Sequence, residues 1–198
     1  MLPALAVLIS SKQDDRLNKH QIAINNLKVQ VRNVAYENDW LNQYSRRENL
    51  RISNVSETEN KDVTKILIGI AAAVDVVIKP DNINTIHRLG PKREGRSRQI
   101  LVRFVHREPR FNLLKNRADL RKTEHYKNIY IAEDLTQLKF KLVNYVRKQS
   151  NVKSAFVKDG RILCSLNDDT KVTIDTPDDL FKIGWDNIDF KLLGLPER

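Results

Sequence analysis

The chain has 198 residues, of which 40% are apolar and 30% charged, with a formal net charge of +10 at pH 7. That is room for one or two small domains with a real core and large wetted surfaces, and the positive balance favours polyanionic partners, nucleic acid ahead of an anionic membrane. The lone Cys164 excludes an intramolecular disulfide and any cysteine-based zinc finger or knuckle.

No run approaches the roughly 18 apolar residues of a membrane span, so no transmembrane helix is expected. Met1 to Ile9 is apolar but lacks a basic leader and a small-x-small cleavage site, so a secretory signal is not expected either. A cytoplasmic location follows as the expectation. The basic run from Lys92 to Arg98 also has the look of a nuclear signal.

From Leu17 to Leu41 the apolar residues fall into heptads. Leu17, Ile24 and Val31 occupy one position, with Asn38 next; His20, Leu27, Val34 and Leu41 lie three residues later. Alternating steps of three and four put one stripe on one helix face, the pattern of a coiled coil. β-Branched residues at the first position and Leu at the second lean toward a dimer. An amphipathic helix packed on its own domain is the alternative.

The helix gives way at Arg46-Arg47-Glu48-Asn49, and Leu50 to Val55 alternates as a strand. Residues 56–60 form a polar loop. Asp62 to Val74 reads as a helix with Val63, Ile66, Leu67 and Ile70 inward. A turn at Pro80-Asp81-Asn82 leads to a strand from Ile83 to Arg88, and 90–98 is a basic hairpin loop punctuated by Gly and Pro. Gln99 to Val105 is the next strand. A helix from Glu108 to Ala118 turns Phe111 and Leu114 inward, and a strand at Ile129 to Ile131 follows. The order β-α-β-β-α-β is that of a split βαβ sheet with both helices on one face and the other face open.

Beyond Asp134 a second small unit is expected. Thr136 caps a helix ending near Lys148, and strands follow at 155–158, 161–165 and 171–174. Asp159-Gly160 is a strong two-residue hairpin signal. A helix over Pro177 to Lys182 ends the unit. The expected fold class is thus α+β: an N-terminal segment and coiled-coil helix over 1–48, a β-α-β-β-α-β domain over 49–132, and a small α+β domain over 133–198.

The charge is concentrated. Between Arg88 and Lys127 thirteen Lys/Arg face four Asp/Glu, whereas 1–87 and 128–198 are nearly balanced at eleven against ten and eleven against eleven. By strand alternation Leu50, Ile52, Ile100, Val102 and Phe104 point to the core. Arg51, Ser53, Gln99, Leu101 and Arg103 share the open face. An RRM places aromatics on its first and third strands to stack bases. Here Val102-Arg103-Phe104 matches part of the third-strand motif, but Arg51 and Gln99 stand where aromatics are usual. Such a sheet grips phosphates through guanidinium groups and carries little sequence information.

The composite of Arg46-Arg47-Glu48-Asn49-Leu50-Arg51-Ile52 after a heptad helix, then His87-Arg88-Leu89-Gly90 and Arg98-Gln99-Ile100-Leu101-Val102-Arg103-Phe104, resembles the gag-like first-reading-frame proteins of non-LTR retrotransposons. It is also similar to the C-terminal region of baculovirus few-polyhedra proteins and their insect relatives. The resemblance spans about residues 17–184. It implies a trimeric coiled coil, a non-standard RRM, a C-terminal domain, and single-stranded RNA or DNA binding with chaperone activity. Matched residue by residue, it implies backbone contacts from Arg46, Arg47, Arg51, Arg88, Arg93, Arg96, Arg98 and Arg103, with Lys92 in the same loop. From the C-terminal domain it implies Lys139, Lys141, Arg147 and Lys148. The oligomer would close through Leu17, Ile24, Leu27, Val31, Val34 and Leu41.

Other residues read as packing. Tyr126 and Tyr130 could stack a base, but a core or half-buried strand position is the first expectation for both; Trp185 is expected under a terminal helix, and Trp40 at or near the coiled-coil surface. His20, His87, His106 and His125 show no metal-ligand spacing, and no P-loop, G-x-S-x-G or H-E-x-x-H is present. A non-enzymatic protein without metal or other cofactor is expected. The rival function is a coiled-coil adaptor whose sheet binds protein.

Overall fold

The computed structural model describes residues 2–57, 62–186 and 188–196, with side chains from residue 12 onward. It is a mixed α and β protein with a long N-terminal helix and two antiparallel sheets. Part of the expected polar loop, residues 58–60, lies outside the described residues.

Helix α1 runs from Leu2 to Ser45, 44 residues, or about 66 Å at 1.5 Å per residue. Neither Gly nor Pro interrupts the sequence between Pro3 and Gly69, so nothing breaks it early. It stops where Arg46, Arg47 and Asn49 close successive turns onto the carbonyls of Gln43, Tyr44 and Arg46. No helix among the described residues is long and apolar enough to cross a membrane.

The first sheet has strands β1 (Asn49–Ser53), β2 (Ile83–Arg88), β3 (Ile100–Phe104) and β4 (Tyr130–Glu133), in the spatial order β2-β3-β1-β4 with every pairing antiparallel. Helices α2 (Val63–Ala72) and α3 (Arg107–Asn116) intervene in the chain order β1-α2-β2-β3-α3-β4. The period-two pattern sends Leu50, Ile52, Ile100, Val102 and Phe104 to one face, where they are buried with Leu67, Ile70 and Ala71 of α2 and Leu113 of α3. Each such side chain contributes about 1.5–3 kcal/mol by leaving water. The opposite face carries Arg51, Ser53, Gln99, Leu101 and Arg103, none of them buried.

The second sheet is β5 (Val152–Lys158), β6 (Arg161–Leu166) and β7 (Lys171–Ile174), paired in that order. Helix α4 (Gln137–Arg147), capped by the Thr136 hydroxyl on the Lys139 amide, packs Leu142, Val143 and Val146 against Ile162, Cys164 and Ile174. A short helix α5 (Phe190–Leu193), with no counterpart in the sequence reading, adds Leu193 to this second core.

Two elements differ from expectation. Helix α3 buries Arg110 and Leu113, and Phe111 stands exposed. Leu114 packs against the first core as expected, while the Arg110 guanidinium lies inward between Glu133 and Asp159, each 3.6 Å away, in the place expected of Phe111. The segment Pro177–Ile183 is a 3-10 helix rather than an α-helix. The Asp179 carboxylate accepts from the amides of Asp175 and Thr176, and Gly184 at φ 79° ends the turn.

The two sheets meet through the turn joining β5 and β6. Asp159 and Gly160 both have positive φ, 52° and 75°, as a tight hairpin of this kind requires. Each Glu133 carboxylate oxygen accepts one of their amides at 2.8 Å. A Cβ on Gly160 would lie 2.7 Å from Gln43 Cγ, so helix α1, β4 and the hairpin all touch at this glycine. We expect Gly160→Ala to lower stability by more than about 1 kcal/mol in chemical denaturation, because strained backbone and clash act together. An unchanged denaturation midpoint would contradict the tight junction.

Candidate nucleic-acid interface

The basic residues fall into two groups, those held by the protein and those left to solvent. The Asp134 side chain is wholly buried, 0% exposed, just after β4. It accepts from Arg46 Nη1 at 3.1 Å, from Asn49 Nδ2 at 3.0 Å and from Arg51 Nε. Its backbone carbonyl accepts from Gln43 Nε2 at 3.0 Å, while Gln43 Oε1 accepts the Thr136 amide at 2.9 Å. One carboxylate thus shares two guanidinium groups, so Arg46 and Arg51 are oriented without being fully neutralised. From Arg51 the network continues across the open face, through Gln99 to the Ser53 hydroxyl.

Arg88 and Arg98 are anchors. Arg88 donates to the carbonyls of Val55, Ser56 and Arg98. Arg98 embraces Glu57, with Nε at 3.1 Å and Nη2 at 3.0 Å from the carboxylate, and its amide donates to the same group. The guanidinium holds the Glu57 carboxyl down to about 2. These contacts fix the two ends of the 90–98 hairpin loop. Between them Lys92, Arg93 and Arg96 are exposed, with side chains that make no ion pair or hydrogen bond among the described residues. Arg103 on β3 is likewise exposed and unpaired.

Arg47 lies over the Tyr44 ring at 3.8 Å and donates to Glu48. Tyr44 in turn stacks on Trp40, with ring centroids 5.6 Å apart, on the exposed side of α1. Lys139 faces inward: it is buried and donates to the Asp175 carbonyl, and burial pushes its ammonium group below the ordinary range against the pull of Asp175. Arg147 keeps an exposed side chain, its Nε donating to the Ala155 carbonyl at 2.9 Å. Lys141 is half-buried beside Gly194, and Lys148 is exposed at the end of α4.

A cleft of about 550 Å³ opens between the first sheet and the second unit. Arg46, Arg51, Ser53, Gln99, Tyr130 and Ala132 form its wall on the sheet side. Phe140, Val143 and Arg147 of α4 and Phe156 of β5 form the opposite wall, with Arg117 at the β4 edge. Glu133 is the only acidic residue of this lining, and the hairpin amides already occupy it. Tyr126 packs against the first core, as expected. Tyr130 does not: it alternates with the buried Ile131 and pairs with Ser53, so its side chain stands on the open face of the sheet, exposed in the cleft.

Arg117, Phe140 and Phe156 therefore join the site without having been singled out for it in the sequence, and Tyr130 joins it on the exposed alternative to a core position. For Phe140 a signal was present: it shares one helix face with Thr136 and Arg147, opposite the buried Leu142 and Val146. Phe156 is the outward residue in an alternating strand. No group of His, Cys, Asp and Glu among the described residues is placed to hold a metal ion.

The heptad residues Leu17, Ile24, Leu27, Val31, Val34 and Leu41 are all exposed. Helix α1 meets the second unit through another face. Arg32 is buried over the Phe190 ring at 5.4 Å, and Tyr36, Asp39 and Gln43 follow at spacings of four, three and four. Burial beside Asp178 raises the Tyr36 hydroxyl well above the ordinary tyrosine value. Compared with known proteins, the chain matches no protein-family model and no curated protein.

The Glu57 anchor has a pH signature. A carboxyl depressed in the folded state stabilises the loop fully above its ordinary value near 4.5, and that contribution is lost as pH falls toward about 2. The Arg98 Nε–H signal in NMR is expected to persist to about pH 3 and to fade as pH falls through about 2. Loss already at pH 6 would rule the anchor out.

Proposed function

We propose that this chain is a non-enzymatic protein that binds single-stranded RNA or DNA with low sequence specificity and helps strands rearrange. The observation that carries the reading is the grouping of unpaired or half-paired cations around the cleft and its neighbouring loop: Lys92, Arg93, Arg96 and Arg103 beside Arg46, Arg51, Arg117 and Arg147. A polyanion held this way is gripped by its backbone, and contacts of that kind exchange quickly.

In this reading residues 49–132 are an RRM-like domain, and its strand and helix order supports that. Residues 133–198 are a second α+β domain that closes the cleft. Arg88, Arg98 and Lys139 serve as scaffold, and Arg46 and Arg51 are preorganised by Asp134 before a strand arrives. The motif resemblance to gag-like retrotransposon proteins points the same way.

The heptad seam supports self-association. The helix meets its own protomer through Arg32, Tyr36, Asp39 and Gln43, which leaves the apolar stripe free for second and further copies of α1. Several clefts carried on one coil raise avidity through effective concentration.

Binding of random single-stranded oligonucleotides, followed by fluorescence anisotropy, tests the grip. With roughly four to six phosphates neutralised, log affinity is expected to fall against log salt with a slope of about −3 to −4. The combined variant Arg93→Glu, Arg96→Glu and Arg103→Glu should weaken all sequences alike. A flat salt dependence, or a loss confined to one sequence, would overturn the reading. Sedimentation of the full chain tests the coil: an oligomer is expected, and Leu27→Asp with Val34→Asp should reduce it to a monomer.

A further inference from the structure

The cleft walls carry three large aromatic side chains that no core claims. Tyr130 is 55% exposed, Phe140 59% and Phe156 50%, although both phenylalanines lie in regular elements that bury their neighbours. Phenylalanines left half in water on two facing elements leave apolar area uncovered, and a flat apolar partner would remove it. They converge from three places: Tyr130 from the edge of the first sheet, Phe140 from α4 and Phe156 from β5. Four arginines stand in the same lining, and its one carboxylate is already occupied by backbone amides. The cleft therefore offers aromatic faces between cations.

We infer that the cleft takes unpaired nucleobases, stacked on Tyr130, Phe140 and Phe156, while the arginines hold the flanking phosphates. This deepens the strand-binding reading and rests on it. The base contacts then lie in the space between the two units, where the aromatics missing from the first and third strands are replaced by Tyr130 of the fourth strand and by Phe140 and Phe156 of the second unit. Its volume of about 550 Å³ falls within the roughly 300–1,000 Å³ of sites that enclose small flat ligands. Stacking is sequence-tolerant, because every base has a π-face, so it adds affinity without adding a code. It also separates single strands from duplexes, whose bases already stack on one another.

The test compares a thymidine homopolymer with an abasic deoxyribose-phosphate polymer of the same length, using the full chain at one salt concentration. Wild-type protein is expected to bind the thymidine strand roughly tenfold more tightly. Phe140→Ala and Phe156→Ala should each erase most of that difference and leave the salt dependence unchanged, while Tyr130→Phe should keep it. These side chains are exposed, and circular dichroism of each variant checks that the fold is intact. Equal affinity for the two polymers in the wild type, or phenylalanine variants that bind thymidine as the wild type does, would overturn the stacking and leave the phosphate grip standing. Failure of both polymers to bind would bring down the strand-binding reading itself.

Discussion

Two consecutive carboxylates at the end of β4, Glu133 and Asp134, organise the molecule. Both are buried, and each faces a different way. Asp134 gathers Arg46, Asn49 and Arg51, which ties the end of α1 to the first strand. Glu133 accepts both amides of the β5–β6 turn and stands beside Arg110, which ties the first sheet to the second. A buried carboxylate is tolerated only where charge and hydrogen bonds surround it, so each position demands its partners in place. The spacing between the sheets, and with it the width of the cleft, follows from that demand.

The same electrostatics sort the cations. Of the basic run between Arg88 and Lys127, Arg88, Arg98, Arg107 and Arg110 are drawn into anchors by carbonyls and by Glu57, Glu48, Glu133 and Asp159. Of those that remain outward, Lys92, Arg93 and Arg96 lie in the 90–98 loop, Arg103 on the open face of the sheet and Arg117 in the cleft lining. Net charge alone overstates the number of cations left unpaired. The anchored arginines still contribute, because they hold the outward ones in position.

Helix α1 divides its labour by face. Its polar side, from Arg32 to Gln43, lies on the second unit, and its apolar heptad stripe points away. A helix packed on its own domain ordinarily buries its apolar side. The reversal here leaves the apolar heptad stripe exposed and makes the contact with the second unit a polar one.

Much of the fold was legible in the chain. Period-two alternation placed Leu50, Ile52, Ile100, Val102 and Phe104 inside, heptad spacing marked the free stripe on α1, and Asp159-Gly160 announced its own hairpin, because each of these signals is local. Helix α3 escaped this logic, since the charge that turned Arg110 inward comes from Glu133 and Asp159, both remote in sequence. The candidate site was legible only in part for the same reason. Whether an arginine is free or held depends on acids some 40 to 90 residues away, as Arg98 with Glu57 and Arg46 with Asp134 show. Sequence by itself determined which residues of the first sheet's β1 and β3 strands face in and which face out, and that the surplus charge is positive. Tertiary structure decided which positive groups remain available and brought Tyr130, Phe140 and Phe156 to one cleft, because pairing and convergence are properties of distance in space.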